Sequence, residues 1–172
     1  MYQRILVPVN GSTTAAAGLD QAIVLAGFMG ATLCLVHVLD AVNYCNGFET
    51  GAIYCGEVVP HMKRTGALIL DESRQRAERA GLKAETALFE TSGGAIADLV
   101  LEHSKRWGAD LIVMGTRGRH GADRLFMVSD AEQVMRGATV PVLLVRPSPP
   151  AERDARRGAD ARASRTSASA HG

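Results

Sequence analysis

Five short β-rich runs alternate with four helical patterns along the first 147 residues, and that alternation limits the possible folds more than any other feature. The runs are Arg4–Val9, Thr32–Val38, Ala84–Phe89, Asp110–Gly115 and Val140–Arg146. Several are apolar almost throughout, which is the pattern of strands covered on both faces. Between them, Thr14–Met29 is Ala-rich with Leu19, Ala22, Ile23 and Ala26 on one face. Val58–Ala80 carries Met62, Leu68 and Ile69, with Arg and Glu elsewhere. Ile96–Trp107 spaces Ile96, Leu99, Val100 and His103 at i, i+3, i+4 and i+7, and Ala131–Ala138 repeats the spacing with Ala131, Val134, Met135 and Ala138. The order βαβαβαβαβ predicts a parallel sheet with helices on both faces and right-handed crossovers. No internal repeat interrupts it.

The 172 residues fit one domain of ordinary size, and 47% hydrophobic residues are enough for a full core. A formal net charge of +1 offers no electrostatic case for nucleic acid or an anionic membrane. The longest apolar runs, Leu111–Met114 and Val142–Val145, are far too short to span a bilayer, and the first residues lack the pattern of a signal peptide. Cys34, Cys45 and Cys55 form an odd set with no CxxC, which argues against a disulfide framework or a zinc site. The expected location is the cytoplasm.

From Ser148 to Gly172 the chain has no Leu, Ile, Val, Met or aromatic residue, and five arginines against three acids. Such a segment cannot bury enough apolar surface to offset its ordering entropy, so residues 148–172 are expected to be a disordered, solubilising tail after a domain at 1–147. The connection Asp40–Gly56, with Tyr44, Phe48, Tyr54 and two cysteines, is long enough to suggest a functional or mobile loop. It leaves the carboxyl end of the second strand, where open α/β sheets bind ligands.

With the first strand central, the candidate crevice lies between the ends of the first and fourth strands. The segments leaving them are Pro8-Val9-Asn10-Gly11-Ser12 and Gly115-Thr116-Arg117-Gly118-Arg119-His120-Gly121. The second is glycine-rich and basic, suited to bringing backbone N–H groups and guanidinium charge to phosphate oxygens. A glycine run of this kind is also common in plain turns.

Four stretches together resemble the universal stress protein family: Ile5–Ser12, Leu35–Asp40, Gly108–Arg119 and Pro141–Arg146. The resemblance spans 1–147. It implies a three-layer flavodoxin-like α/β fold with a five-stranded parallel sheet of order 3-2-1-4-5, a cytoplasmic stress-response role, and a homodimer. It also implies a nucleotide site at Pro8, Val9, Asn10, Val38, Met114, Gly115, Arg117, Gly118, Arg119, Val128, Ser129 and Asp130. ATP-binding members carry G-x2-G-x9-G-[ST]. Gly115, Gly118 and Ser129 match it, but Val128 stands at the third glycine and Asn10 at the family's acidic position. A β-branched side chain at 128 adds bulk and narrows the backbone choices. Ser129-Asp130-Ala131-Glu132 reads as a capping box, which places the Asp130 carboxylate in a first turn where a phosphate would otherwise be stabilised.

Plainer roles compete for many of these residues. Ser129 serves as a helix cap, Asn10 and Ser12 as turn and cap residues, His37 as a hydrogen-bonded structural histidine, and Cys34 as core. His61 and His103 fall on helices without partner spacing, His120 is expected to be exposed, and Cys45 and Cys55 are loop thiols. There is no GxSxG, GxxxxGK[ST] or HExxH motif and no identifiable carboxylate pair, so no enzyme is expected. The charge-free run Val140–Val145 reads as an edge strand open to pairing with a second copy, making Val140–Arg146 the expected homodimer contact, alongside unidentified protein partners. The leading expectation is a non-enzymatic dimeric module with a degenerate nucleotide site and no assured cofactor. The alternative is an ATP- or AMP-binding switch.

Overall fold

The computed structural model describes residues 1–40, 58–91, 94–116 and 130–147. Its elements run β1 (Arg4–Pro8), α1 (Thr13–Met29), β2 (Thr32–Asp40), α2 (Val59–Arg79), β3 (Ala84–Thr91), α3 (Ile96–Trp107), β4 (Leu111–Gly115), α4 (Asp130–Gly137) and β5 (Val142–Val145). The five strands form one parallel sheet in the order β3-β2-β1-β4-β5. The expected doubly wound architecture is therefore the one found.

The three inner strands explain their own composition. Ile5, Leu6 and Val7 are wholly buried, as are Leu33 and Leu35 beside them and Ile112 and Val113 on the other side. Alternate residues serve opposite faces. Ile5, Val7, Leu33, Leu35, Leu111 and Val113 pack under α1 and α2, against Leu19, Ala22, Ala26, Leu70 and Ala77. Leu6, Cys34, Val36, Ile112 and Met114 pack under α3 and α4, against Ala97, Val100, Ala131 and Val134. A strand buried on both sides has no polar face to show, hence the unbroken apolar runs. The edge strands β3 and β5 are only partly covered, and Leu143 on β5 is 37% exposed.

Two expected core positions are corrected. Leu68 is 63% exposed and Met135 is 48% exposed. On α2 the buried stripe is Met62, Gly66, Leu70 and Ala77, and Leu68 falls outside it. Gly66 sets that choice: a Cβ there would lie 2.8 Å from His37 Cδ2 and 3.0 Å from Leu39 and Leu88 side chains. The helix is pressed onto the sheet along its smallest residue, not its largest. On α3 the expected Val100 is wholly buried beside Ala97 and Ser104, while Ile96, Leu99 and His103 are only partly covered.

Strand ends also shift slightly. β2 and β3 run two residues beyond the expected Val38 and Phe89, and β5 begins at Val142, after Pro141. Pro141 has no N–H to give the ladder, yet its carbonyl accepts from Ile112 N–H at 3.0 Å. Gly108 closes α3 in the left-handed region at φ 72°, which turns the chain into β4. Asp110 then accepts from Gln3 N–H at 2.7 Å and from Arg4 N–H at 3.0 Å, while its own N–H donates to Arg4 carbonyl at 2.9 Å. The carboxylate thus caps the start of β1 and fixes the register of the central pair. The expected tail at 148–172 and the loop residues 41–57 lie outside the described residues.

Candidate functional site

Strand order reverses between β1 and β4. The helix leaving β1 packs on one face and the helix that follows β4 packs on the other. Their carboxyl ends therefore flank an open crevice, the usual place for a ligand in such sheets.

On the β1 side the Val9 carbonyl, Asn10 Oδ1 and Ser12 Oγ are each engaged. Val9 N–H donates to Val36 carbonyl at 2.8 Å, extending the ladder one residue past the strand. The Val9 carbonyl accepts from buried His37 at 2.7 Å, which fixes the proton on Nδ1 because a carbonyl can only accept. Asn10 Oδ1 accepts from Ser12 N–H at 3.1 Å, and Ser12 Oγ accepts from Ala15 N–H at 3.1 Å as the cap of α1. Gly11 makes this tight succession possible at φ 74°, with Ile69 of α2 lying over it. His37, Asn10 and Ser12 thus perform the structural roles read from their positions.

On the β4 side Met114 is buried and Gly115 ends the strand. The glycine at 115 answers first to α1: a Cβ there would overlap the Thr14 carbonyl and sit 3.0 Å from Ala15 N. Gly18 faces it, since a Cβ on Gly18 would lie 2.6 Å from Gly115 N. The two glycines let α1 rest directly on the β4 backbone. Beyond them, α4 opens with Asp130 and Glu132 in its first turn, as the capping-box reading expects for Asp130. Glu132 pairs with Arg136 at 2.9 Å. Arg117, Gly118, Arg119, Val128 and Ser129, with His120, lie outside the described residues. Of the expected site residues, the structure brings Pro8, Val9 and Asn10 beside the β2 end with Val38, and sets Met114 and Gly115 on the opposite flank.

The first turn of α4 carries two acidic residues, the charge that complements a helix N-terminus. Asn10 adds no charge on the facing flank.

A second cluster sits lower on the α3 face, away from the crevice. Cys34 Sγ lies 3.4 Å from His103 Nε2, with Phe89 ring-to-ring with His103 at 5.0 Å. Burial pushes the Cys34 thiol up to about 12, reinforced by the Glu85 carboxylate. Burial also lowers His103, helped by the Arg106 guanidinium. The pair is therefore a neutral thiol beside a neutral imidazole, with no thiolate for nucleophilic work. Glu85 accepts from Trp107 Nε1–H at 2.9 Å, and Arg4 stacks 4.1 Å over the Trp107 ring. Cys34 is core, as expected, whereas the partner of His103 was beyond sequence reading because the two are 69 positions apart.

These features define a class: a doubly wound parallel α/β domain with a ligand crevice at its topological switch point. Sequence comparison sharpens it, since residues 1–146 match the Universal stress protein family. The chain belongs to that family. It is 32% identical over 151 residues to the universal stress protein YxiE of Bacillus subtilis, covering 85% of this chain and all 100% of the relative. A solved universal stress protein from Burkholderia pseudomallei superposes with TM-score 0.67 at 32% identity, covering 86% of this chain and 97% of that one. A universal stress protein crystallised in complex with cAMP shares the fold at TM-score 0.63 and 23% identity, covering 86% and 99% of the two chains. No described helix is long and apolar enough to cross a membrane.

Proposed function

We propose that this chain is a non-enzymatic stress-response module of the cytoplasm that works as a homodimer and uses its crevice to bind a ligand other than tightly held ATP. The observation that carries the reading is the start of α4, where Asp130 and Glu132 put two carboxylates into one first turn. A triphosphate brings several negative charges to a helix end whose positive pole those side chains already neutralise. His37, a residue type suited to acid–base work, is buried and spends its Nδ1 proton on the Val9 carbonyl. This supports binding over catalysis. The half-covered β5, with Leu143 exposed, supports pairing of Val140–Arg146 with a second copy.

The alternative is a nucleotide-operated switch taking ATP or AMP. It is favoured by the cAMP complex on the same fold. Calorimetry with ATP and Mg²⁺ separates the two. No saturable heat at millimolar ATP is the expected result, and micromolar binding would overturn the leading reading. Light scattering tests the dimer, for which twice the 18.2 kDa chain mass is expected and a monomer mass would refute it.

A further inference from the structure

The sheet has two edges, and β3 is the longer and barer one. It runs for eight residues, Ala84–Thr91, in unbroken register with β2. It contains no proline, glycine or bulge, the usual devices that keep an edge from pairing. Its two charges are tied back to the domain: Glu85 accepts from Trp107 Nε1–H at 2.9 Å, and Glu90 pairs with Lys63 at 2.8 Å. The phase of the ladder follows from Leu33 N–H, which donates to the Lys83 carbonyl at 3.0 Å. Residue 83 and the odd positions after it therefore turn their backbone groups toward β2, and Ala84, Thr86, Leu88 and Glu90 turn theirs outward. Among the described residues no turn, loop or cap bonds to those outward groups.

We propose that this edge is an interaction surface for a second copy of the chain, β3 pairing antiparallel with β3 about a twofold axis perpendicular to the sheet. Opposite side chains in such a pair share a face, so even positions meet even and odd meet odd. With Ala87 on the axis, Ala84 falls opposite Glu90 and Thr86 opposite Leu88. That register uses every outward group of the four residues, about eight cross-chain bonds, and a shift either way leaves some unpaired. The same register is complementary in charge. Glu85 falls opposite Phe89 of the second copy, and the Arg106 guanidinium lies 5.9 Å from the Phe89 ring centroid. Arg106 is exposed, and its own Glu102 is 4.0 Å away, so it has charge to offer. The axis repeats this contact, giving two Glu85–Arg106 pairs. The helices agree with the strands. Gly66 of α2 faces His37 and Leu39 on β2 and Leu88 on β3, so α2 lies over both strands. Strands about 4.8 Å apart then set α2 about 10 Å from its copy, the spacing of packed helices. Lys63 marks the side of α2 turned toward the edge, and exposed Ala67 one turn on is small enough for that approach.

The surface is distinct from β5 and does not depend on pairing there. Thr86→Pro tests it, because proline removes a donor that points away from β2 and leaves the internal ladder whole. Sedimentation velocity from micromolar to millimolar protein is expected to show the wild-type mass rising with concentration and Thr86→Pro stopping one association step lower. Arg106→Glu, a change on the surface, sets like charges together twice and is expected to weaken the step about tenfold or more. Amide exchange by NMR reads the edge directly. The N–H groups of Thr86, Leu88 and Glu90 are expected to gain protection as concentration rises, while those of Glu85, Ala87 and Phe89 are protected throughout by β2. Equal masses for wild type and Thr86→Pro at millimolar concentration would overturn the proposal. So would protection of the outward amides already complete at micromolar concentration, since another segment of the chain would then cover the edge.

Discussion

Gly115 stands at the junction of two explanations, and its replacement by alanine distinguishes them. If the glycine serves only to let a ligand approach, Gly115→Ala leaves stability alone. The structure requires otherwise, because the new Cβ would overlap the Thr14 carbonyl and reach 3.0 Å from Ala15 N, both backbone atoms of α1. Backbone cannot rotate aside as a side chain can, so α1 must lift from β4. Overpacking a well-packed interior costs about 1–3 kcal/mol and occasionally more, and a clash between two backbones belongs at or beyond the upper end, about 3 kcal/mol. For a chain of this size about 1 kcal/mol moves the midpoint by about 2–4 °C, so a drop of about 6–12 °C is expected. Gly18→Ala provides a graded comparison, its Cβ falling 2.6 Å from Gly115 N. That milder overlap is offset by the gain of about 0.5–1 kcal/mol for removing a helical glycine, for a net loss near 1 kcal/mol. Gly27→Ala has nothing within 4 Å and is expected to be stabilising. Thermal unfolding by circular dichroism ranks the three. A Gly115→Ala protein that melts with the wild type would refute the packing argument.

The remaining predictions concern charge and burial. Asp110→Ala removes the acceptor of two β1 amides and is expected to cost about 1–3 kcal/mol by denaturant unfolding, a loss that asparagine restores only in part. Cys34, a protonated thiol in the core, is expected to resist alkylation at pH 8 in the native protein and to react once unfolded; peptide mapping that finds it modified in the native state contradicts its burial. Because its folded pKa of about 12 exceeds the ordinary 9.0, its share of stability holds below pH 9 and is lost as pH rises from there toward 12. His103 works in the opposite direction. Its folded pKa lies below 6.5, so the unfolded chain takes up the proton first and stability falls as pH drops beneath 6.5. His103→Phe is expected to flatten that acid limb, and an unaltered limb would assign it to other groups.

The architecture was legible because parallel strands buried on both faces leave an unmistakable trace, and Arg4–Pro8, Thr32–Asp40 and Leu111–Gly115 carry it. Helix faces were less legible, and the reason is physical. Spacing identifies a stripe of large apolar residues, but α2 chose the stripe containing Gly66, where the helix can come nearest to His37 and Leu39. Close approach gained more contact there than burial of Leu68 offered. The bonds that lock the fold, Asp110 to Gln3 and Cys34 to His103, join residues 107 and 69 positions apart. No local pattern announces such pairs.

The same reasoning bears on the crevice residues. Resemblance assigned Gly115 and Asn10 to a nucleotide site by their positions, whereas their geometry gives each a prior commitment, Gly115 to the backbone of α1 and Asn10 to the Ser12 turn. A residue type can be kept for packing long after any ligand role has changed, so a matching glycine says little about what occupies the site. The informative quantity is the polarity left over once internal bonds are counted. At the end of β1 that remainder is the Asn10 amide N–H, while at the start of α4 Glu132 is already paired with Arg136. Neither Gly115 nor Asn10 argues for a nucleotide once its internal commitment is counted, so calorimetry with ATP and Mg²⁺ is the direct test of what this crevice holds.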